Sequence, residues 1–317
     1  MRSEFEFIES IRKTYSLKAI GDDCAVLPRD SETDQVITAD LLIEDVDFRL
    51  SWTDADLLGH RSLAVSLSDI AAMGAEASWS MLSLGVPEDL WKSSFLDDFY
   101  RGYWNLAEKY GVTIAGGDIS RSPDKLVIDS IVGGTVPRGQ AILRSTAKPG
   151  DIVFVTGKLG GAAGGLKLLE RGSRLHNTQA AEHDLLLRQL KPDPQLEFAK
   201  LLQQHALASS MIDISDGLSS DLFHICRESG VGATIDAGRI PTDPELLNIF
   251  GPSESFDMAV SGGEDFELLF TSAEKNISAV EKLGASAIGT VTANVGVIEL
   301  TTGSETTILR PRGFRHF

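Results

Sequence analysis

The sequence predicts an α/β (α+β) protein with two domains, and three observations carry that prediction. Strand-like and helix-like segments alternate along the chain, which is typical of layered α/β architectures. Several apolar strands lead into an aspartate followed by a turn. A stretch rich in Pro, Gly and Ser at 137–150 interrupts the pattern. With 317 residues in the chain, and roughly 100–200 residues in a typical domain, we expect an N-terminal domain over 1–137 and a C-terminal domain over 138–317.

The N-terminal half contains strands and helices in a regular order. The longest predicted helix has a broad apolar face at helical spacing, and Arg61 lies on that face. The second helix should end before Gly111. The predicted elements are a strand at 35–40, helices at 54–72 and 94–110, and strands at 112–117 and 125–136.

The C-terminal half begins after the Pro- and Gly-rich stretch with a buried strand. A glycine-rich turn follows that strand, and a helix-prone polar region lies further along. The predicted elements are a strand at 151–157, a turn at 158–165, a helix at 165–172, helix-prone sequence at 173–193, a strand at 209–215, a helix at 217–230 and a strand at 265–271.

Charge narrows the choice of partners. The net charge is -17 and the pI is about 4.7. Because so acidic a surface repels nucleic acid and anionic membranes, we expect neither as a partner. A nucleotide would arrive as its Mg complex, with its own charge partly neutralised.

The cysteines and the N-terminus indicate a cytoplasmic protein. Cys24 and Cys226 are far apart and fit neither a metal-binding pair nor a disulfide framework, so we expect two free thiols. The N-terminal segment is charged and lacks an apolar signal core. No apolar run approaches the roughly 20 residues of a membrane-spanning helix.

Aspartates at predicted strand ends are the strongest chemical signal. They are Asp40, Asp118, Asp213 and, in the following turn, Asp216. Ligands of open α/β sheets bind beyond the carboxyl ends of strands, and Mg²⁺ prefers oxygen ligands. Several such carboxylates in one pocket would repel each other unless cations neutralised them. The alternative is that each caps a helix or closes an Asx-turn.

Three further acidic motifs accompany these aspartates: GDDCAV at 21–26, SLSDIAAMG at 66–74 and SGGEDFE at 261–267. The first could bridge metals or be an ordinary turn. The second places Asp69 late in an apolar helix, where a carboxylate must be solvated, paired or metal-bound. The third is a glycine-rich turn with three carboxylates, which is either a ligand loop or an acidic hairpin.

Other devices for binding phosphate or forming a nucleophile are absent or ambiguous. Neither a Walker motif nor a dinucleotide-binding glycine motif occurs. The loop at 157–161 is either a packing turn or an anion site at a helix start. Arg144 is either a phosphate clamp or a solvated side chain. The histidines are scattered, and no Ser-His-Asp or Cys-His arrangement emerges.

Taken in order, these motifs resemble those of the thiamine-monophosphate kinase family, within the superfamily of aminoimidazole ribonucleotide synthetase. The motifs are GDDCAV, TAD followed by LLIEDVDF, SLSDIAAMGA, AGGD, RST-x-KPGD, DISDGLSSDL and SGGEDFELLFT. The resemblance implies a two-domain aminoimidazole ribonucleotide synthetase-like fold. It also implies a homodimer whose N-terminal sheets form a barrel-like core, with ATP and several Mg²⁺ ions near the dimer interface.

The resemblance assigns residues to three sites. It implies Mg²⁺ ligands at Asp23, Thr38, Ala39, Asp40, Asp69, Asp118, Asp213 and Asp216. It implies ATP contacts at Gly117, Asp118, Arg144 and Ser215. It implies thiamine-monophosphate contacts at Glu264 and Phe314, whose ring would stack on the cationic thiazolium. Asp47 occupies a substrate position where the family usually has His. Ser66, Ala39 and Ile119-Ser120 also depart from the usual Asn, Thr and Thr-Thr.

The implied reaction is in-line transfer of the γ-phosphoryl group of ATP to thiamine monophosphate, giving thiamine diphosphate and ADP. The attacking phosphate oxygen is already ionised at neutral pH, so positioning and charge neutralisation suffice. We expect Asp40, Asp69, Asp118 and Asp213 to be the catalytic carboxylates.

Two alternatives stay open. One is another reaction of the superfamily, the ATP-dependent activation of selenide or of an amide or thiocarboxamide. Selenophosphate synthetases carry a reactive Cys or selenocysteine near the N-terminus, and hydrogenase-maturation relatives end in Cys. The first 20 residues here contain no Cys, and the sequence ends in Arg315-His316-Phe317. The other alternative is a Mg-nucleotide-binding regulator without turnover.

Overall fold

The computed structural model of the chain describes residues 4–16, 19 and 21–313. Its helices are α1 (Glu4–Tyr15), α2 (Ala55–Ala72), α3 (Glu88–Trp91), α4 (Phe95–Lys109), α5 (Gly161–Glu170), α6 (Ala180–Leu190), α7 (Leu196–Gln204), α8 (Leu218–Ser229), α9 (Pro244–Phe250), α10 (Pro252–Ser261) and α11 (Ile277–Leu283). Its strands are β1 (Ala25–Pro28), β2 (Thr33–Ile43), β3 (Glu76–Val86), β4 (Thr113–Arg121), β5 (Val127–Pro137), β6 (Ile152–Val155), β7 (Ser210–Asp213), β8 (Gly232–Asp236), β9 (Leu268–Ser272), β10 (Ser286–Thr292), β11 (Ile298–Thr302) and β12 (Glu305–Ile308).

The N-terminal sheet has the strand order β1-β2-β5-β3-β4. Its strands pair antiparallel except for β3 and β4, which run parallel. Because side chains alternate along a strand, Val36 and Leu42 of β2 are buried on the face that packs against the helices. Leu41 points to the other face and is 57% exposed. The described part of the chain leaves that second face largely uncovered, and we call it the open face.

Helices α2 and α4 cover the first face and cross at two glycines. A Cβ on Gly59 would lie 1.9 Å from the Phe99 carbonyl oxygen, and one on Gly102 would lie 1.8 Å from the Asp56 carbonyl oxygen. Only glycine permits so close a backbone approach. The tight crossing fixes α2, which is buried along most of its length and carries several candidate site residues.

The C-terminal sheet has the order β12-β11-β8-β10-β6-β9-β7 and is mixed, with β8 and β11 parallel. One face places Phe154 and Phe270 in the same apolar cluster as the core residues of α2. The other face places Val155 and Ile212 in a cluster with the apolar side of α8. Since α2 packs against both halves of the chain, residues on it can join side chains from the two sheets.

The structure confirms the predicted α/β class and corrects two details. The glycine-rich segment predicted as a turn over 158–165 is helical from Gly161 onward. Asp40 and Asp118 lie within β2 and β4, not at the strand ends. Both cysteines are free and buried, as expected. Over the described ranges, no helix combines the length and apolarity needed to cross a bilayer.

Candidate active site

Three carboxylates from distant parts of the chain meet beside α2. Asp23 precedes β1, Asp69 lies near the end of α2, and Asp213 ends β7. Their ligand oxygens all lie within 4.8 Å of one another. The side chain of Asp23 is 1% exposed and Asp213 is 2% exposed. We call these three residues the carboxylate cluster.

A hydroxyl group donates a hydrogen bond to each of three site aspartates, Asp69 of α2, Asp40 of β2 and Asp213 of β7. The pairs are Thr38 to Asp69 at 2.5 Å, Ser66 to Asp40 at 2.6 Å, and Ser68 to Asp213 at 2.7 Å. These bonds fix the carboxylates without neutralising them, because a hydroxyl carries no charge. Ser66, where the family usually has Asn, thus donates to Asp40 through its hydroxyl.

Burial makes these carboxylates poor at holding negative charge. Burial raises the pKa of Asp213 to about 8, with the Asp23 carboxylate adding to it. Burial raises the pKa of Asp40 to about 6. The pKa of Asp69 rises well above its usual range because of burial, and then because of Asp40 and Asp213. Such a group of acids is stabilised in its ionised form by cations.

Arg144 already brings one cation to the cluster. Its Nε donates to Asp23 Oδ2 at 3.1 Å and its Nη2 donates to Asp23 Oδ1 at 2.6 Å. The backbone of Arg144 is held as well, since its N–H donates to Asp22 and its carbonyl accepts from Ser229. The guanidinium predicted to contact ATP therefore pairs with a carboxylate in this structure.

A cavity of about 620 Å³ lies between the N-terminal domain and the C-terminal helices. Asp40, Ser215 and Asp216 line it together with Asp47 and Glu264. Asp40 also raises the pKa of Asp69, so it is electrostatically continuous with the carboxylate cluster. The structure thus brings residues predicted for metal, nucleotide and substrate binding to one cavity.

Asp47 stands where the family that the motifs resemble usually has His, and its side chain closes a turn. Its Oδ2 accepts a hydrogen bond from the Ile43 N–H at 2.8 Å, and its own N–H donates to the Ile43 carbonyl at 2.9 Å. One carboxylate oxygen therefore has a structural partner. Asp47 still lines the cavity and remains partly accessible.

Gly117, Asp118 and Ala39 lie away from both the carboxylate cluster and the cavity. Gly117 and Asp118 lie on the exposed edge strand β4. In register, Asp40 pairs with Ser130, Ser130 with Leu82, and Leu82 with Gly117. Three strand spacings of about 4.8 Å each therefore separate β2 from β4, or roughly 14 Å. Ala39 points to the open face, because its neighbours in β2 point toward α2. Phe314 lies outside the described residues.

The 157–161 loop is a packing turn rather than an open anion site. Asp265 Oδ2 accepts a hydrogen bond from the Gly160 N–H at 2.6 Å, and its Oδ1 accepts one from the Ala162 N–H at 3.1 Å. A carboxylate of the chain itself therefore occupies the start of α5. Of the two readings left open by the sequence, the packing turn is correct.

Two cavity residues escaped sequence analysis. Arg61 of α2 and Gln189 of α6 both line the cavity and both donate hydrogen bonds to Glu264. One signal for Arg61 was visible, since a charged side chain lay on the apolar face of the predicted helix. For Gln189 the sequence offers no such signal.

Comparisons with known proteins agree with this architecture. The family models for the N-terminal and C-terminal domains of AIR synthase related proteins match residues 21–136 and 148–300. The thiamine-monophosphate kinase of Escherichia coli strain K12 is 37% identical, over 99% of this chain and 95% of its own. The fold and site thus define a two-domain protein of the AIR synthase related class.

Solved structures narrow the class to a family. AaThiL complexed with AMPPCP and TMP is 32% identical with a TM-score of 0.89, covering 99% of this chain and 97% of its own. The thiamine-monophosphate kinase of Stenotrophomonas maltophilia K279a is 35% identical with a TM-score of 0.80, covering 96% and 98%. This chain belongs to the thiamine-monophosphate kinase family. That membership confirms the predictions of fold class and of an ATP-dependent kinase.

Proposed function

We propose that the chain transfers the γ-phosphoryl group of ATP to thiamine monophosphate in the cavity described above, giving ADP and thiamine diphosphate. One observation carries this proposal: Asp40, next to the carboxylate cluster, lines the same cavity as Asp47 and Glu264. A phosphate-binding end and an acceptor-binding end then lie within one volume of about 620 Å³. That size falls within the range of small-ligand sites.

The donor set fits Mg²⁺. Asp23, Asp69 and Asp213 offer only carboxylate oxygens, within 4.8 Å of one another, and the pKa of Asp213 is raised by burial and then by the Asp23 carboxylate. Hard oxygen ligands of this kind suit Mg²⁺. Bound there and at Asp40, Mg²⁺ would neutralise phosphate oxygens and orient them. Thr38, Ala39, Asp118 and Asp216 remain proposed as further ligands.

The chain's own residues supply position and charge. Arg144, already held at its backbone by Asp22 and Ser229, is proposed to bind ATP phosphate once Asp23 is engaged by metal. Ser215 is proposed to contact the nucleotide from the loop after β7. No side chain has to take a proton from the acceptor, because its phosphate oxygen is already ionised.

The acceptor end of the cavity combines acidic and aromatic side chains. Asp47 and Glu264 line it, and Trp52 contributes a ring that packs 4.4 Å from the Arg49 guanidinium carbon. Such a lining suits a cationic heteroaromatic ring with N–H donors, as thiamine has. Phe314 is proposed to join this wall, since Arg312 and Gly313 before it line the cavity.

We further propose a homodimer formed through the open face of the N-terminal sheet. Leu27, Leu41 and Met81 project from that face and are 42%, 57% and 41% exposed. Exposed apolar side chains gathered on one sheet face are typical of an interface. A second copy covering it would also meet the edge strand that carries Asp118. Asp118 would then serve the partner's site, which accounts for its distance from Asp40 within one chain.

The rival chemistry of selenide activation finds little support in this site. Cys24 adjoins the carboxylate cluster, but burial raises the pKa of its thiol well above the usual range, and Asp69 and Asp23 raise it further. A thiol in these surroundings stays protonated and is a poor nucleophile.

The proposed boundary between the N-terminal and C-terminal domains stays between residues 137 and 138.

The direct test is ADP release from purified protein with Mg-ATP, with and without thiamine monophosphate. We expect release to depend on thiamine monophosphate and to yield thiamine diphosphate in equal amount. An aminoimidazole precursor and selenide serve as control acceptors. Turnover with either control and none with thiamine monophosphate would overturn the proposed acceptor. ATP binding without turnover on any acceptor would favour the regulator.

A further inference from the structure

Arg61 is a buried cation on the apolar face of α2. It is 3% exposed, and its neighbours on the helix are mostly apolar core residues. Its Nη1 donates to the Gln189 carbonyl at 2.5 Å, and its Nη2 donates to Glu264 Oε1. Because burying an arginine is costly unless it is paired, this side chain has a specific task. These two partners come from α6 and from the loop after α10 in the C-terminal half, and Nη2 also donates to the Asp47 carbonyl of the N-terminal half at 3.4 Å.

Gln189 completes the hold on Glu264. Its Nε2 donates to Glu264 Oε2, so each carboxylate oxygen accepts one N–H from a different element. Gln189 is itself 4% exposed. The chain just after it is anchored to the N-terminal helices, where His60 Nε2 lies 2.7 Å from the Pro192 carbonyl and Lys109 donates to Asp193 at 2.6 Å. These contacts fix the backbone just after Gln189, while the side-chain Oε1 of Gln189 is buried and has no hydrogen-bond partner among the described residues.

The backbone of Glu264 has an uncommon conformation. Its φ is +67°, a left-handed value that non-glycine residues seldom adopt. Its N–H donates to the Ser215 carbonyl at 2.8 Å. The side chain is one-third exposed and lines the cavity, so it is accessible to a ligand there.

We propose that Arg61 and Gln189 are positioning residues for acceptor specificity. They hold Glu264 as a fixed hydrogen-bond acceptor for the exocyclic amino group of the acceptor's aminopyrimidine ring. This inference rests on the proposed function and names the part of the acceptor that Glu264 reads. Because Arg61 balances the charge of Glu264, the carboxylate contributes mainly an oriented hydrogen-bond acceptor and little net charge. A substrate with a carbonyl oxygen in place of that amino group would place one hydrogen-bond acceptor against another, the Glu264 carboxylate, and would bind poorly.

The experiment compares two acceptors: thiamine monophosphate and oxythiamine monophosphate, in which oxygen replaces the exocyclic amino group. For wild type we expect kcat/KM to be about 100-fold higher for thiamine monophosphate than for oxythiamine monophosphate, because the second compound leaves the Glu264 carboxylate without a hydrogen-bond donor. In Gln189→Met, which keeps the length but removes the amide, that ratio should fall about tenfold. Arg61→Lys should reduce it as well, because lysine cannot hold the forked geometry.

Two readouts separate positioning from a merely structural role. The KM for ATP should stay within about twofold of wild type in both variants, because neither residue lies at the carboxylate cluster. A Gln189→Met enzyme that loses activity equally on both acceptors, with the ratio unchanged, would overturn the inference. If neither variant folds, the test is the kcat/KM ratio of the wild type for the two acceptors. Equal use of both acceptors by the wild type would overturn the inference. A wild type that uses neither acceptor refutes the proposed function itself, which is a distinguishable result.

Discussion

Arg144 and Asp23 form a forked ion pair at the edge of the carboxylate cluster, with N–O distances of 2.6 Å and 3.1 Å. The pair joins the loop before β1 to the segment between the two sheets. It places a fixed positive charge beside acids whose pKa values are raised by burial and by one another. The cluster is therefore only partly compensated, and its remaining repulsion is what a bound cation would relieve.

Asp213→Asn should separate stability from activity. Asparagine avoids the cost of burying an acid whose pKa is raised by burial and then by Asp23, so we expect the metal-free protein to melt about 3–6 °C higher. The same change removes a proposed metal ligand, so kcat should fall by about 100-fold or more. Thermal melting in EDTA and steady-state turnover measure the two effects. Asp97→Asn, at an exposed position on α4, is the control and should alter neither. An active Asp213→Asn enzyme would remove this residue from the site.

Mg²⁺ binding should weaken as the pH falls. Burial raises the pKa of Asp213 to about 8 and that of Asp40 to about 6, so protons compete with the metal across this range. We expect at least about tenfold tighter Mg²⁺ binding near pH 8.5 than near pH 6. Calorimetry in two buffers of different ionisation enthalpy should also detect proton release at the lower pH. Equal affinity at both pH values, without proton release, would contradict the prediction.

Asp265 should make wild-type stability fall between about pH 4 and pH 7. Burial raises the pKa of its carboxyl to about 7, despite hydrogen bonds from the Gly160 and Ala162 N–H groups that lower it. A carboxyl whose folded-state pKa is raised stabilises the fold fully below its unfolded pKa, and that contribution is lost as the pH rises through the folded value.

The measurement for Asp265 is denaturant unfolding of wild type and Asp265→Asn at several pH values. The stability of wild type relative to the variant should decline by about 3–4 kcal/mol from pH 4 to pH 7.5. Asp236→Asn, at an exposed cap, is the matched control. Parallel pH curves for wild type and Asp265→Asn would show that this carboxyl titrates normally.

The sequence carried enough information for the family and for much of the site, because the acidic motifs are local. Asp23, Asp69 and Asp213 were each predicted from a short segment, and the structure brings them together. The sequence could not reveal the contact between Arg61 and Glu264. These residues lie 203 positions apart and meet only after the two halves of the chain pack.

The helix α5 shows why local rules failed elsewhere. Its glycine run was predicted as a turn, because glycine is a poor helix former. In the structure a Cβ on Gly165 would lie 2.1 Å from the Leu185 carbonyl oxygen, so the glycines let α6 pack directly against α5. Tertiary packing outweighs the intrinsic preference here, and no single-segment pattern encodes it.

The open face of the N-terminal sheet should hold the dimer together. Leu41→Glu places a charge at an apolar side chain that is 57% exposed within one chain. We expect the variant to be monomeric at micromolar concentration by light scattering, since burying an unpaired charge at an interface is unfavourable. Leu247→Glu, at a similarly exposed position on α9, should leave the oligomeric state unchanged. A dimeric Leu41→Glu protein would place the interface elsewhere.

Complementation between two inactive variants tests whether Asp118 acts across that interface. Asp118→Asn and Asp69→Asn should each be inactive alone, because each lacks one proposed carboxylate in every site. In mixed dimers one site combines an intact Asp69 with an intact Asp118 from the partner, while the other lacks both. Random pairing of equal amounts makes half of the dimers mixed, so about a quarter of wild-type activity should return. The measurement is turnover by the unselected co-expressed protein, and different tags on the two variants verify that mixed dimers are present.

The matched control for this complementation is a mixture of Asp69→Asn and Asp213→Asn. These two residues lie in the same carboxylate cluster of one chain, so no mixed dimer rebuilds an intact site. Recovery in the first mixture but not in the second is expected if Asp118 reaches the partner. If neither mixture recovers activity while mixed dimers are present, Asp118 acts within its own chain, although roughly 14 Å of sheet separate β4 from β2. Such a result would require β4 to shift toward α2 when ligands bind.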